Sequence, residues 1–280
     1  MRDDYEPQKS SSGSIIAIIV LVVIAAAVAF YFLRDDAPEA SQNVATSIPV
    51  TPQVAESSTT SSVAPIVEYQ APEPVVEVEP LPPLNESDTN ILAALQQLRG
   101  EGLLQLLVPQ EVIRKFVLAV NNIAEGKVIH EYRPVVSPGT PFAPETFSVK
   151  VDGDAVDQER IANRNYARYE PYVTTLALVD SDAAVAVYRR FYPLLEEAFR
   201  ELGLKKPNFH SVMIAAIDNL LAAPDAQGDL LLVRPKVFYQ YADPALEQLP
   251  HTHKLMLRMG PENSRSVKAS LRQLRARLVN

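Results

Sequence analysis

The sequence predicts a mainly α-helical, multi-helix soluble domain with at most a small β-hairpin, preceded by one transmembrane helix and a disordered linker. Three observations predict it. Ile15 to Leu33 is an unbroken run of 19 apolar residues. Nine prolines and no glycine fall between Asp35 and Pro83. Beyond Pro83, large apolar residues recur at steps of three and four, the spacing of one helix face. The chain accordingly divides into a short tail (1–14), a transmembrane helix (15–33), a Pro- and acid-rich linker (34–83) and a soluble helical domain (84–280).

As a helix rising about 1.5 Å per residue, the apolar run spans about 28 Å, close to the hydrocarbon thickness of a bilayer. It lacks the polar face of a soluble core helix. Phe30 and Tyr31 near its end suit the membrane interface. A cleaved signal peptide is the competing reading, because Ala27-Val28-Ala29 has the small-x-small form of a cleavage site. Against cleavage, Phe30 to Leu33 carry the run past that point, and Asp3, Asp4 and Glu6 offset Arg2 and Lys9 before it. Arg2 and Lys9 precede the span, Arg34 alone follows it, and no Lys or Arg occurs from Asp35 to Leu98. The positive-inside rule then places the N-terminus in the cytoplasm and the domain outside it.

In the linker, prolines break helices and central strands, and the acids repel one another. Its last part, Ala71 to Pro83, is expected to be extended in polyproline II form, acting as a solvated spacer. Residues 1–83 hold three bases and 11 acids, which is the whole formal charge of −8; residues 84–280 hold 23 of each. A domain so balanced gives no electrostatic reason to expect a nucleic-acid partner. The chain has no cysteine, which excludes disulfides, a thiol nucleophile and cysteine-ligated metal.

Within the domain, Ser87 or Asp88 can cap a helix carrying Ile91, Leu95 and Leu98 that stops near Gly100. Pro109 is suited to open the next helix, which buries Val112, Ile113, Phe116, Val117, Val120 and Ile123. Phe147, Val149 and Val151 alternate with polar residues and meet Asp152-Gly153, the pattern of a strand and turn. Asp182 to Leu202 is the clearest helix: Val185, Tyr188, Tyr192, Leu195, Phe199 and Leu202 fill one arc, with a bend expected at Pro193. Asn208 can cap the helix that buries Val212, Met213, Ala216, Ile217, Leu220 and Leu221. Leu230 to Tyr241 is ambiguous between strand and helix. Gly260-Pro261 opens the last helix, which runs to about Leu278.

Several phrases carry a resemblance. They are Leu81-Pro-Pro-Leu84, Leu107-Val-Pro109 with Arg114-Lys-Phe116, Arg168-Tyr-Glu-Pro-Tyr172, Tyr188-Arg-Arg-Phe-Tyr-Pro193, Val233-Arg-Pro-Lys-Val237 with Ala242-Asp-Pro244, and Leu257-Arg-Met-Gly-Pro-Glu-Asn263. In this order they resemble the bacterial membrane-anchored proteins catalogued as domain of unknown function 3014. The resemblance covers most of residues 81–277. It implies a bacterial envelope protein with an N-terminal membrane helix, and it brings no catalytic residues; with the base count, the expected place is the bacterial inner membrane, single-pass, with a periplasmic domain.

Common catalytic signatures are missing: no G-x-S-x-G, no H-E-x-x-H and no phosphate-cradling glycine loop. His251 and His253 lie in a proline-started turn without a third ligand, and Asp152, Asp154, Asp157 and Glu159 do not follow the calcium-loop pattern. No metal or cofactor is expected. Two constellations remain. Arg164, Arg168, Tyr169, Tyr172 and Arg190 belong to dense Tyr/Arg segments, a composition favoured at interfaces, although packed tyrosines give the same pattern. Arg265, Lys268, Arg272 and Arg275 form a basic stripe on the last helix, within about 80° on a wheel of ~100° per residue. It is either a solvated face or a contact for an anionic surface: lipid, wall polymer or the chain's own acidic linker.

The expected function is a membrane-tethered binding or scaffolding module of the bacterial cell envelope, without catalysis. Its expected partners are the membrane, through the N-terminal helix, and another envelope protein or wall polymer. The alternative is an envelope enzyme acting on a cell-wall or lipid-linked substrate through a Tyr/Arg-lined cleft.

Overall fold

The structure, a computed structural model, describes residues 65–73, 80–99, 101–129, 131–138, 140–151 and 154–279. The span read at Ile15–Leu33, most of the linker and the Asp152-Gly153 turn lie outside the described residues. Among the described residues, no helix is long and apolar enough to cross a membrane.

The helical reading of the domain holds. A 3-10 turn at Leu84–Glu86 leads into α1 (Asp88–Arg99) and α2 (Glu101–Leu104), followed by α3 (Val112–Ala124). After the strands β1 (Pro144–Val151) and β2 (Asp154–Ile161) come α4 (Arg164–Ala167), α5 (Glu170–Ala177), α6 (Ser181–Glu201) and α7 (Phe209–Leu221). Strands β3 (Leu231–Val233) and β4 (Gln240–Tyr241) precede α8 (Pro244–Glu247), α9 (His251–Arg258) and α10 (Pro261–Leu278). The main core lies where α3, α6, α7 and α10 meet: Phe116, Tyr188, Phe191, Leu195, Phe209, Ile217 and Leu271 are buried there together.

One helix start differs from expectation, and one expected cap serves another helix. Val108 N–H donates to the Pro134 carbonyl, and Leu107 bridges Val135. This holds the chain before Pro109 extended, so α3 opens at Val112 and not at the proline. The turn into it forces Glu111 into the left-handed region (φ 52°). Asp88 does not cap its own helix. Its carboxylate accepts from Glu111 N–H (2.8 Å) and Val112 N–H (2.9 Å), so the start of α1 caps α3.

The sheet exceeds the expected hairpin. Four antiparallel strands run in the order β1-β2-β3-β4. The β1–β2 hairpin pairs Phe147 with Gln158 and Val149 with Val156. β2 then pairs with β3 (Glu159 with Leu232, Arg160 with Leu231), and β3 with β4 (Leu232 with Tyr241). The ambiguous Leu230–Tyr241 segment is therefore two short strands. Pro235 between them has no N–H to give to a ladder, so the run splits around a loop. Ile161, Leu230, Leu232, Tyr241 and Leu257 form a second, smaller core behind this sheet.

At the corner between α9 and α10, Gly260 has φ +86°, and a Cβ there would lie 2.6–2.8 Å from the Tyr166 ring of α4. Asn263 completes the joint, donating to the carbonyls of Tyr166 and Met259, both at 2.9 Å. The phrase Leu257–Asn263, which carries part of the family resemblance, thus packs against Tyr166. Gly260→Ala should cost roughly 2–4 kcal/mol, strain and crowding together. Gly203→Ala, at φ +65° with open space around it, should cost only about 1 kcal/mol. Urea midpoints compare the two, and equal losses would mean that the Tyr166 contact carries no weight.

Candidate functional site

The first N–H groups of a helix have no intrahelical partner. At the start of α7, α6 and the loop before α7 supply them. Phe209 N–H donates to Glu196 Oε2 (2.9 Å), His210 N–H to the Tyr192 hydroxyl, and Ser211 N–H to Asn208 Oδ1 (2.8 Å). The Tyr192 hydroxyl itself donates to Glu196 Oε2 (3.0 Å). Burial, then the Glu196 charge, pushes the Tyr192 phenol well above its ordinary value.

His210 is 3% exposed. Its Nδ1 lies 2.9 Å from the Tyr188 hydroxyl, and the Leu278 carbonyl bonds its ring as well. A carbonyl only accepts, so the ring nitrogen facing Leu278 is a donor. Burial holds its pKa below the usual value, with Arg189 acting in the same direction and the Leu278 bond opposing it. Through this ring α6, α7 and α10 are tied at one point.

Residues 65–73 lie across this junction, although they belong to the stretch read as linker. Ile66 and Ala71 are half-buried against the core, while Val67 and Glu68 face solvent. Tyr69 N–H donates to Ser211 Oγ (2.8 Å), and Asn208 Nδ2 donates to the Tyr69 carbonyl (3.0 Å). The Arg275 guanidinium lies 3.5 Å from the Tyr69 hydroxyl. The pair that caps α7 thus also clamps the main chain of a strap. Between strap and helices lies a cavity of about 390 Å³, lined by Ala71, Pro72, Val185, Tyr188, Arg189 and Leu278 among others. Composition concealed this arrangement. The one available signal was Tyr69, the only aromatic residue from Asp35 to Pro83.

The basic stripe on α10 is not one surface. Arg265 and Arg272 are exposed, but Lys268 is 5% exposed, donating to the Ala223 carbonyl (2.7 Å) and Asp225 Oδ1 (2.6 Å). Arg275 forks onto both oxygens of Asp218 (2.5 and 3.0 Å). The Tyr/Arg residues are also dispersed. Arg164 is exposed and donates to the Pro144 carbonyl (3.2 Å). Arg168 and Tyr169 are buried, with the guanidinium 5.9 Å from the Tyr169 ring centre. Burial pushes the Tyr169 phenol up, and its hydroxyl has no hydrogen-bond partner among the described residues. Tyr172 is buried and donates to the Val136 carbonyl (3.0 Å), and Arg190 stands 5.4 Å over the Phe191 ring. A second cavity, about 370 Å³, lies beside this region and carries Tyr166, Glu170, Glu262 and Asn263 on its walls. Among the described residues, no group of three or more His, Cys, Asp or Glu is placed to hold a metal ion.

A family model described as Protein of unknown function (DUF3014) matches residues 112–275, more than half of the chain. The match takes in Arg189, Asn208, His210, Ser211 and Arg275 and leaves out the strap. No curated protein and no solved structure matches.

Two outcomes follow from these contacts. His210, His251 and His253 all have lowered pKa values, with burial as the largest cause in each. Groups whose folded pKa lies below the unfolded value of about 6.5 favour the fold when neutral. Stability therefore plateaus above about pH 6.5 and declines as pH falls towards the folded values. His210 is faced by Tyr188, Arg189, Tyr192 and Glu196 of α6 and by the Leu278 carbonyl of α10. His210→Asn should lower the plateau and flatten the decline between about pH 7 and 5, read from urea midpoints; an unchanged slope would remove His210 as a contributor. Separately, Lys268→Ala should cost about 1–3 kcal/mol by stranding the Ala223 carbonyl, whereas Arg272→Gln should shift stability by no more than about 0.5 kcal/mol. Thermal unfolding of the two variants separates a structural lysine from an exposed arginine.

Proposed function

Since this chain belongs to the family described as Protein of unknown function (DUF3014), we propose that it is a membrane-tethered binding or scaffolding module of the bacterial cell envelope. The observation that carries this reading is the clamped strap. The domain grips an extended segment by its main chain and leaves a cavity beside it, which is the behaviour of a recognition surface. The 19-residue apolar run at Ile15–Leu33 supplies the tether in this reading, and the base count around it favours a periplasmic domain. Partners in this reading are the membrane at the N-terminal helix and another envelope protein or wall polymer at the domain.

The alternative, an envelope enzyme with a Tyr/Arg-lined cleft, loses its cleft residues to the interior: Arg168, Tyr169 and Tyr172 are buried. What favours it is the second cavity, where Glu170 and Glu262 share a wall. In-cell crosslinking with mass spectrometry tests the binding reading, which stands on recovery of a specific envelope partner and fails if none is captured.

Topology is tested independently. Alkaline phosphatase fused after Asn280 should be active, because that enzyme folds only when exported. Inactive phosphatase, together with activity of a cytoplasm-dependent reporter at the same site, would reverse the orientation.

A further inference from the structure

We propose that the groove between α6, α7 and α10 is a docking site for an extended acidic peptide of another protein, with residues 65–73 as its resident, displaceable competitor. The inference rests on the reading of the domain as a binding module and names the chemistry of its partner.

The seat recognises backbone. Asn208 and Ser211 satisfy both the N–H and the C=O of Tyr69, so the clamp needs an extended chain and not the strap's particular side chains. Strap side chains add modestly: Ile66, Tyr69, Ala71 and Pro72 are half-buried, and none is buried.

The fit is also incomplete. An open depression of about 390 Å³, lined by the strap's Ala71, Pro72 and Glu73, remains between strap and helices. Arg189 lines that space, is exposed, and makes no ion pair among the described residues. A peptide with a tyrosine in the Tyr69 seat and a glutamate where Ala71 lies would place a further carboxylate in that space, beside Arg189. The strap has alanine there, the smallest side chain that still gives a directed Cβ, so it holds the groove without completing it.

Connectivity makes the strap a threshold. Only residues 74–79 separate it from Pro80, where the described chain resumes. A segment on so short a connector acts at an effective concentration near the millimolar range. A partner must exceed that competition, so a weakly matching peptide is excluded and a well-matched one displaces the strap.

The test uses the full chain in detergent micelles and fluorescein-labelled peptides of residues 65–75, read by anisotropy. One peptide carries Ala71→Glu and a second Ala71→Lys. The Ala71→Glu peptide should bind at least about tenfold tighter to a chain whose residues 65–73 are replaced by Gly/Ser of equal length than to the wild type, since the competitor is gone. On that strap-replaced chain it should also bind about tenfold tighter than the Ala71→Lys peptide, and Arg189→Gln should erase the preference. Ser211→Ala, which leaves the Asn208 cap in place, should weaken both peptides with helicity unchanged by circular dichroism. Equal affinity for wild-type and strap-replaced chains, or indifference to Ser211→Ala, overturns the proposal. Absence of peptide binding, with in-cell crosslinks to a partner on another face, removes the groove and leaves the binding-module reading standing. Peptide binding at the groove with no crosslinked envelope partner does the reverse.

Discussion

The buried His210 ring, held between the Tyr188 hydroxyl and the Leu278 carbonyl, sets how three helices of this domain meet. Because α6, α7 and α10 are registered here, Tyr192 and Glu196 come level with the first turn of α7 and take up its N–H groups. That in turn frees Asn208 and Ser211 to turn outward. Their remaining donor and acceptor capacity is what the strap uses. The seat of the strap is a by-product of that capping, not an addition to it.

Much of the helical domain is legible from spacing alone. Val185, Tyr188, Tyr192, Leu195 and Phe199 are all buried, as their three-and-four rhythm requires. Asn208 caps α7, because a side chain one residue from the first turn acts locally. What escaped the sequence is nonlocal. β3 pairs with β2 at Glu159–Leu232, a partnership that no window around Leu232 contains. Asp88 looks like a cap for the helix it begins, but its carboxylate serves Glu111 and Val112 on another helix. The stripe on α10 failed similarly: a helical wheel gives the angle of Lys268, but not the Ala223 carbonyl and Asp225 that fold over it.

The strap was hidden for a different reason. Averaged over its length, the linker is proline, acid and small apolar side chains, which is a composition without a core. One tyrosine and one isoleucine in nine residues barely move that average, yet they are enough to seat an extended chain when a clamp already exists. The Tyr/Arg segments show the converse. Their density suggested an exposed interface, but Tyr169 and Tyr172 are spent on packing and on the Val136 carbonyl. Aromatic and basic richness marks a binding face only where the fold leaves those side chains at the surface.

The strap and its clamp are 142 residues apart in the chain, and that separation orders events during biosynthesis. At roughly 5–20 residues per second, the ribosome makes Tyr69 some 7–30 s before Ser211. Throughout that interval the strap has no seat. Its acids and prolines disfavour any core of its own through that interval. Its seat draws on α7 and α10 together, so it is complete only once those helices have met.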